Sequence, residues 1–336
     1  MLLSAGPGQP PNCSNVRPEA RRTLAGARNE CVSDMNPTPL SLRDGLLALA
    51  VMAVWGTNFV VIRLGLDHLP PLLFAALRFT LAVLPAIFFL ERPPVPWRKL
   101  AAYGLLIGAG QFGLMFIAIS HYITPGLASL VIQLQAFFTI GLAAYLTGER
   151  VQRFQFVALL LSVVGIGVIL VHTDAATTPL GLALVLVAAV CWAGGNVVVR
   201  STPKVNMLAY VVWASLFSAP PLFALSFAFE GWAAIRDGLA HSDLATWGAV
   251  LYQTVANTLF GYAAWGWLLS RYPAATIAPM LLLVPVFGMG ASALWLDEPL
   301  QSWKLAAAAL VMAGLCLNVL WPRFAALRGA RTPPAA

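Results

Sequence analysis

The sequence predicts an all-α integral membrane protein with ten transmembrane helices, arranged as two inverted five-helix repeats. Its composition indicates a membrane protein, because 60% of its 336 residues are hydrophobic and only 10% are charged, whereas soluble domains carry about a quarter charged residues. Its apolar residues lie in long unbroken runs, which favours helices over barrel strands. A polar and aromatic phrase occurs twice, as AVWGTNFVVIRLG at residues 53–65 and as CWAGGNVVVR at residues 191–200.

Ten apolar runs follow one another along the chain, and each is close to the length of about twenty residues that a helix needs to cross a bilayer. They lie approximately at 45–65, 70–90, 100–120, 124–146, 155–172, 179–199, 207–229, 244–268, 274–296 and 302–321. Several of these runs contain proline, which membrane helices tolerate better than soluble helices do.

The two halves of the chain correspond to each other beyond the repeated phrase. Trp55 and Arg63 match Trp192 and Arg200 at one constant spacing. Further along, the frame that pairs Glu149 with Glu298 also pairs glycines in the fifth and tenth runs. Five spans per repeat is an odd number, so the second repeat must enter the membrane from the opposite side, as in many secondary transporters. We therefore expect repeats at 41–172 and 179–321.

The two ends of the chain are predicted to be polar tails. Residues 1–40 have no apolar periodicity and no signal-peptide core, so we expect disorder, with Met35 as a candidate translation start. Most of the 20 basic residues fall in alternate loops, and the positive-inside rule then places both termini, including residues 322–336, in the cytoplasm. The expected location is a bacterial inner membrane.

Several classes of chemistry lack their sequence signals. None of the 13 acidic residues lies in the middle of a span, where proton relays and sodium sites usually place a carboxylate, so facilitated export and proton exchange both remain open. The four cysteines have no metal-ligand spacing. GAGQFG at residues 108–113 fits a dinucleotide-binding pattern but lies in an apolar span, where its glycines favour close helix packing. We expect no catalytic residue, no metal, no cofactor and no nucleic-acid partner.

Polar side chains within the spans are the candidate binding residues. Arg78 is the one charge well inside a span, and it either contacts a substrate anion such as a carboxylate or holds helices together. Each amide alone is typical of interhelical hydrogen bonding. As a set they suit a polar cavity for a zwitterion, which aromatic residues such as Trp55 and Tyr262 would wall. The amides are Asn58, Gln111, Gln133, Gln135, Asn196, Gln253, Asn257 and Asn318.

The runs DGLLALAVMAVWGTNFVVIRLGLDHLPPLLFAALRF, LVIQLQAFFTIGLAAYLTGER, CWAGGNVVVR and RYPAATIAPMLLLVPVFG together resemble the EamA branch of the drug/metabolite transporter superfamily. The resemblance covers residues 41–321. It implies ten helices in inverted repeats and efflux of small amino-acid metabolites of the cysteine and O-acetylserine type. It also implies a central cavity lined by Trp55, Asn58, Gln111, Gln133, Trp192, Asn196, Tyr252, Asn257 and Trp265.

The sequence therefore predicts a secondary transporter rather than an enzyme, with a small-molecule substrate, the lipid bilayer as its surroundings and an undetermined oligomeric state. Two alternatives stay open. A broad drug exporter would have a cavity walled mainly by aromatic rings. A lipid-modifying enzyme would need clustered histidine, aspartate or cysteine near one membrane interface, and the four histidines form no such motif. Because Asn196 belongs to the repeated phrase, we predict that Asn196→Ala abolishes export without loss of expression.

Overall fold

The computed structural model describes residues 40–148 and 151–329, and all regular structure in that part of the chain is helical. Nine of its helices are long and apolar enough to cross a membrane, so the chain is a multi-pass membrane protein. They are α1 (Leu42–Gly65), α2 (Pro71–Phe88), α3 (Trp97–His121), α4 (Pro125–Leu146), α5 (Arg153–Val171), α6 (Pro179–Arg200), α7 (Met207–His241), α9 (Ala278–Trp295) and α10 (Ser302–Pro322). The last of these belongs to a helix that continues to Gly329.

A further helical segment, α8, runs without a break over residues 244–271. It is not among the nine candidate spans, because Gln253, Asn257 and neighbouring threonines make its centre polar. Nine spans rather than ten are therefore identified by length and apolarity. The predicted tail at residues 1–39, the pair at positions 149 and 150, and the last residues from 330 lie outside the described residues.

Three helices contain a π-helical stretch, Leu105–Gly113 in α3, Ser226–Glu230 in α7 and Tyr252–Phe260 in α8. A 3-10 turn lies within α4 at Ile132–Leu134, at the start of α9 at Ala278–Leu283 and at the end of α2 at Ala86–Phe88. The extra residue in a π turn shifts the backbone ladder, and such turns are frequent at functional sites. The irregular turns of α3 and α4 are thus of the same types as those of α8 and α9.

The packing pairs helices from the two halves. Helix α1 packs against α4, α8 and α9, whereas α6 packs against α3 and α4; α2 packs against α7 and α5 against α10. Gly108 of the GAGQFG motif serves this packing, as predicted, because a Cβ on it would lie 2.2 Å from Ser218 Cβ on α7. Gly104, which precedes the motif, packs against the same helix, since a Cβ on it would lie 2.2 Å from the Ala214 carbonyl oxygen.

The contact between α5 and α10 is reciprocal. A Cβ added at Gly165 would lie 3.0 Å from the Ala307 carbonyl oxygen, and one added at Gly314 would lie 2.4 Å from the Ala158 carbonyl oxygen. Gly165 lies later in α5 than Ala158, but its neighbour Ala307 lies earlier in α10 than Gly314. The two helices therefore run antiparallel. Gly165 and Gly314 are also the pair that the repeat alignment matched.

Hydrogen bonds join the helix ends in two sets. At the near end, which holds the start of α1, the Tyr272 hydroxyl donates to Asp44 Oδ2 at 2.6 Å. At the far end, which holds the start of α2, Glu230 at the end of the π stretch of α7 accepts from the backbone N–H of Leu72 at 2.6 Å and of Leu73 at 3.1 Å. A carboxylate in that position satisfies donors that a helix N-terminus leaves free.

Candidate functional site

Arg78 lies on α2 and is almost completely buried, with 1% of its surface exposed. Its Nη2 donates to Thr258 Oγ1 on α8 at 2.8 Å. Its Nε and Nη1 find no hydrogen-bond acceptor, and no carboxylate forms an ion pair with it among the described residues. Buried charges in proteins are normally paired, so this guanidinium has unused capacity to bind an anion.

Aromatic rings surround the guanidinium. Its Cζ lies 3.9 Å from the centroid of Phe112, in the π stretch of α3, and 4.8 Å from that of Phe79. A ring over a guanidinium stabilises the cation through its face. The hydrogen-bonding edge of the guanidinium stays available, and its parallel N–H groups match the two oxygens of a carboxylate.

Trp55 on α1 joins this region through α8. Its ring centroid lies 5.8 Å from Tyr262 and 5.6 Å from Trp265. Its Nε1 donates to the Asn257 carbonyl oxygen at 3.2 Å, within the π stretch of α8. Asn257 directly precedes Thr258, which accepts the hydrogen bond from Arg78. Four predicted site residues, Trp55, Arg78, Asn257 and Trp265, are thus brought into one region.

Two further predicted residues, Asn58 and Tyr252, lie on the α1–α8 contact. The Tyr252 hydroxyl donates to the Val54 carbonyl oxygen at 3.0 Å. Gln253 Nε2 donates to the Asn58 carbonyl oxygen at 3.4 Å. Both Asn58 and Gln253 are buried, and their side-chain oxygens Oδ1 and Oε1 accept no hydrogen bond. This contact therefore contains two unsatisfied acceptors.

Other predicted residues form a second group on α4 and α6. Asn196 Nδ2 donates to Gln135 Oε1 at 2.8 Å and to Thr139 Oγ1 at 3.2 Å. Gln133 Nε2 donates to the Leu281 carbonyl oxygen at 3.4 Å. Gln111 is buried in the π stretch of α3, and Trp192 is partly buried on α6. No hydrogen bond among the described residues connects this group with Arg78.

Some residues of the site lie outside the predicted set. Thr258 accepts from Arg78 and donates to the Gln253 carbonyl oxygen at 2.9 Å. The second bond has the five-residue spacing of a π turn. The sequence gives no signal for either contact. Gln253 and Gln135 were in the wider set of span amides but not among the predicted lining residues. The buried hydrogen-bond partners of each amide were not readable from the chain.

A cavity of about 250 Å³ opens between the end of α1 and the start of α8, and Tyr252 forms part of its wall beside His68, Asp243 and Thr246. Hydrogen bonds from the backbone and hydroxyl of Thr246 lower the pKa of the Asp243 carboxyl, and the charge of nearby His68 contributes. A second cavity of about 270 Å³ lies among α4, α5 and α6. Its wall includes Thr139, the partner of Asn196. The first cavity therefore reaches the α1–α8 contact at Tyr252, and the second reaches the Asn196 group at Thr139.

Comparison with known proteins identifies the family of this helical membrane protein. The EamA-like transporter family matches the chain twice, over residues 44–171 and 179–320. The chain belongs to the EamA-like transporter family. Like the other members it is a transporter.

Relatives in two bacteria carry the same description, "Probable amino-acid metabolite efflux pump". The one from Salmonella typhimurium is 43% identical over 287 residues, 83% of this chain and 96% of its own, and the one from Escherichia coli K12 is 41% identical over 291 residues, 85% and 97%. A crystal structure with 20% identity superposes with a TM-score of 0.57 over 84% of this chain and 98% of its own, and so shares the fold.

Proposed function

We propose that this transporter exports small amino-acid metabolites that carry a carboxylate, by alternating access across the bacterial inner membrane. The cargo class follows from the two bacterial relatives described as amino-acid metabolite efflux pumps. The observation that carries the proposal is Arg78, a buried guanidinium with two donor atoms free and no carboxylate partner. An unsatisfied buried donor costs about 1–3 kcal/mol, and a substrate carboxylate would remove that penalty.

The proposed architecture has ten spans in two inverted repeats, at 41–172 and 179–321. Segment α8 would be the tenth span, since its 28 residues extend about 40 Å. The double match to one family supports a duplication. The π stretches of α3 and α8 and the 3-10 turns of α4 and α9 support corresponding helices, and the antiparallel contact through Gly165 and Gly314 supports inversion.

The proposed orientation puts the near end and both chain termini in the cytoplasm. Basic residues concentrate in the segments at that end, namely Arg43, Arg92, Arg98, Lys99, Arg153, Arg200, Lys204 and Arg271. The far end holds Arg63, Arg236 and the buried Lys304. This bias follows the positive-inside rule. The cavity beside Tyr252 would then open to the outside and the cavity beside Thr139 to the cytoplasm.

In this proposal the two groups of predicted residues serve successive stages of transport. Asn196, Gln133, Gln111 and Trp192 would contact cargo arriving from the cytoplasmic cavity. The Arg78 region, with Trp55, Asn257, Trp265, Asn58 and Tyr252, would hold it before release. Helix α1 packs against α4, α8 and α9, so a tilt of α1 would alter access to both groups.

The test is uptake of labelled cysteine and O-acetylserine into proteoliposomes, with and without a pH gradient. We expect Arg78→Met to reduce uptake at least about thirtyfold, since a hydrogen bond to a charged group contributes about 1.5–3 kcal/mol. The matched control is Arg63→Met, because Arg63 is partly exposed in an ion pair with Asp67 at 2.6 Å. Equal uptake by both variants would reject Arg78 as the anchor, and a response to the gradient would identify proton exchange.

A broad drug exporter is the second candidate, and the cluster of Trp55, Tyr262 and Trp265 favours it. Its cargo would stack on these rings without needing a carboxylate. Efflux of ethidium that survives Arg78→Met, together with absent amino-acid uptake by folded wild-type protein, would support this function and reject the first.

A further inference from the structure

Two buried amide oxygens, on the neighbouring helices α1 and α8, have no hydrogen-bond donor among the described residues. Asn58 is 5% exposed and Gln253 is 0% exposed, and Asn58 Oδ1 and Gln253 Oε1 both find no donor among the described residues. The Gln253 amide donates through Nε2 to the Asn58 carbonyl oxygen at 3.4 Å. Flipping that amide would put two carbonyl oxygens together, so the orientation that leaves Oε1 free is the favoured one.

Three buried amide oxygens among the described residues have no hydrogen-bond partner, those of Asn58, Gln253 and Asn318. Asn318 lies on α10, which packs chiefly against α5. Buried polar groups in proteins are normally satisfied. Two unsatisfied acceptors at one helix contact therefore indicate a missing donor.

The same contact is linked to Arg78 through a single side chain. Thr258 Oγ1 accepts from Arg78 Nη2 at 2.8 Å and donates to the Gln253 carbonyl oxygen at 2.9 Å. Thr258 thus connects Arg78, whose guanidinium has free donors, to Gln253, whose side chain has a free acceptor. An α-amino acid presents the complementary pair of groups, a carboxylate and an ammonium.

We propose that Asn58 Oδ1 and Gln253 Oε1 form a cation subsite that accepts the ammonium group of the substrate. This rests on the proposed function and deepens it, since it makes the cargo a zwitterion rather than any carboxylate. Amide oxygens are hard, neutral ligands, so they bind an ammonium through its N–H groups and bind a monovalent metal ion by the same chemistry. No proton has to leave the subsite when the cation departs.

The test is competition against labelled O-acetylserine in proteoliposomes by 3-acetoxypropionate, the same molecule without its amino group. Wild-type protein should bind the analogue at least about thirtyfold more weakly than O-acetylserine. In Asn58→Leu and Gln253→Met that difference should fall below about threefold. The matched control Asn318→Leu, an amide with the same unpartnered oxygen on another helix, should keep the wild-type difference.

Replacing sodium by choline separates the two sources of the cation. Uptake that is independent of sodium, with amine discrimination lost in both variants, assigns the subsite to the substrate ammonium. Uptake that requires sodium only in wild-type protein assigns the same subsite to a coupling ion and overturns the ammonium assignment. Unchanged discrimination and unchanged sodium response in both variants overturn the subsite altogether.

The melting temperature in the presence of a ligand tests the subsite even if a variant, or the wild-type protein, transports nothing. Alaninamide has an ammonium group but no carboxylate, so it should raise the melting temperature of detergent-solubilised wild-type and Arg78→Met protein and leave that of Asn58→Leu and Gln253→Met unchanged. Absent uptake by folded wild-type protein would reject the proposed function. Equal shifts by alaninamide in all four proteins, or in none, would reject the subsite.

Discussion

Glu298 accepts three hydrogen bonds at the far end of the bundle. Its Oε1 accepts from Lys304 Nζ at 2.9 Å, and its Oε2 accepts from the Gly126 backbone N–H at 3.1 Å and from the Ser292 hydroxyl. Both charged partners are buried, with Glu298 9% and Lys304 4% exposed. One carboxylate thus joins the end of α9 to the starts of α4 and α10.

We predict that Glu298→Gln destabilises the protein by about 3–5 kcal/mol. Glutamine is nearly the same size and still offers one acceptor, but it leaves the Lys304 ammonium buried without a counter-charge, and removing one partner of a buried pair has this effect. At about 2–4 °C per kcal/mol, the melting temperature should fall by about 10 °C. The double variant Glu298→Gln with Lys304→Met removes both charges and should recover most of the loss.

The assay is thermal unfolding of detergent-solubilised protein, followed by tryptophan fluorescence. The control is Asp67→Asn, which breaks the exposed Arg63–Asp67 pair, whose side chains are 39% and 49% exposed. Exposed pairs contribute about 0–1 kcal/mol, so this variant should melt within about 3 °C of wild type. If Glu298→Gln melted like Asp67→Asn, or the double variant were less stable than Glu298→Gln, the attribution to an uncompensated buried lysine would be wrong.

Four further outcomes are expected. Burial raises the pKa of Glu298, but hydrogen bonds from Ser292 and Lys304 outweigh burial and lower that pKa below its ordinary value of 4.5. The ionised Glu298 therefore stabilises the folded protein fully above pH 4.5 and loses this effect as the pH falls further. The difference in melting temperature between wild type and Glu298→Gln should stay constant from pH 8 to 5 and shrink below about pH 4. Gly165→Val should lower the yield of folded protein by collision with Val311, at 2.8 Å from the added Cβ, while Gly167→Val, with nothing within 4 Å, should not. Trp55→Phe loses the bond to the Asn257 carbonyl and should slow O-acetylserine uptake about fivefold; unchanged uptake would make that bond dispensable. Asn196→Ala should abolish export at normal membrane expression, and full export would remove Asn196 from the path.

The sequence predicted the parts of the fold that apolar length and glycine spacing determine. The helix bounds agree with the apolar runs, and Gly108 and Gly165 pack closely against neighbouring helices. The hydropathy of α8 did not qualify it as a span, because the polar residues that make this segment interesting are the ones that reduce its apolarity. Hydropathy thus fails as a predictor of spans at α8, the helix that carries Gln253 and Asn257.

A sequence shows which residue types lie in the spans but not which side chains pair with each other. The site was therefore predicted only in part. Arg78 was identified from a charge within an apolar run, yet whether it is structural depends on its partner, which lies on α8 at Thr258. The choice of Thr258 depends on the π turn at Tyr252–Phe260, which has no sequence pattern. For the same reason the predicted set was one cavity, and the sequence did not show that Asn196 bonds to Gln135 and Thr139.

The lack of a carboxylate partner for Arg78 among the described residues has a physical consequence. A carboxylate facing this guanidinium would form a buried pair and use the donors that the proposed cargo needs. Neutral amides at Asn58 and Gln253 can complement a cation without competing for Arg78. Because amides do not titrate near neutral pH, recognition at this proposed subsite would not depend on pH. Any response of transport to a proton gradient must then arise from other groups, and the cavity that contains His68 and Asp243 beside Tyr252 is where titratable side chains come nearest to the α1–α8 contact.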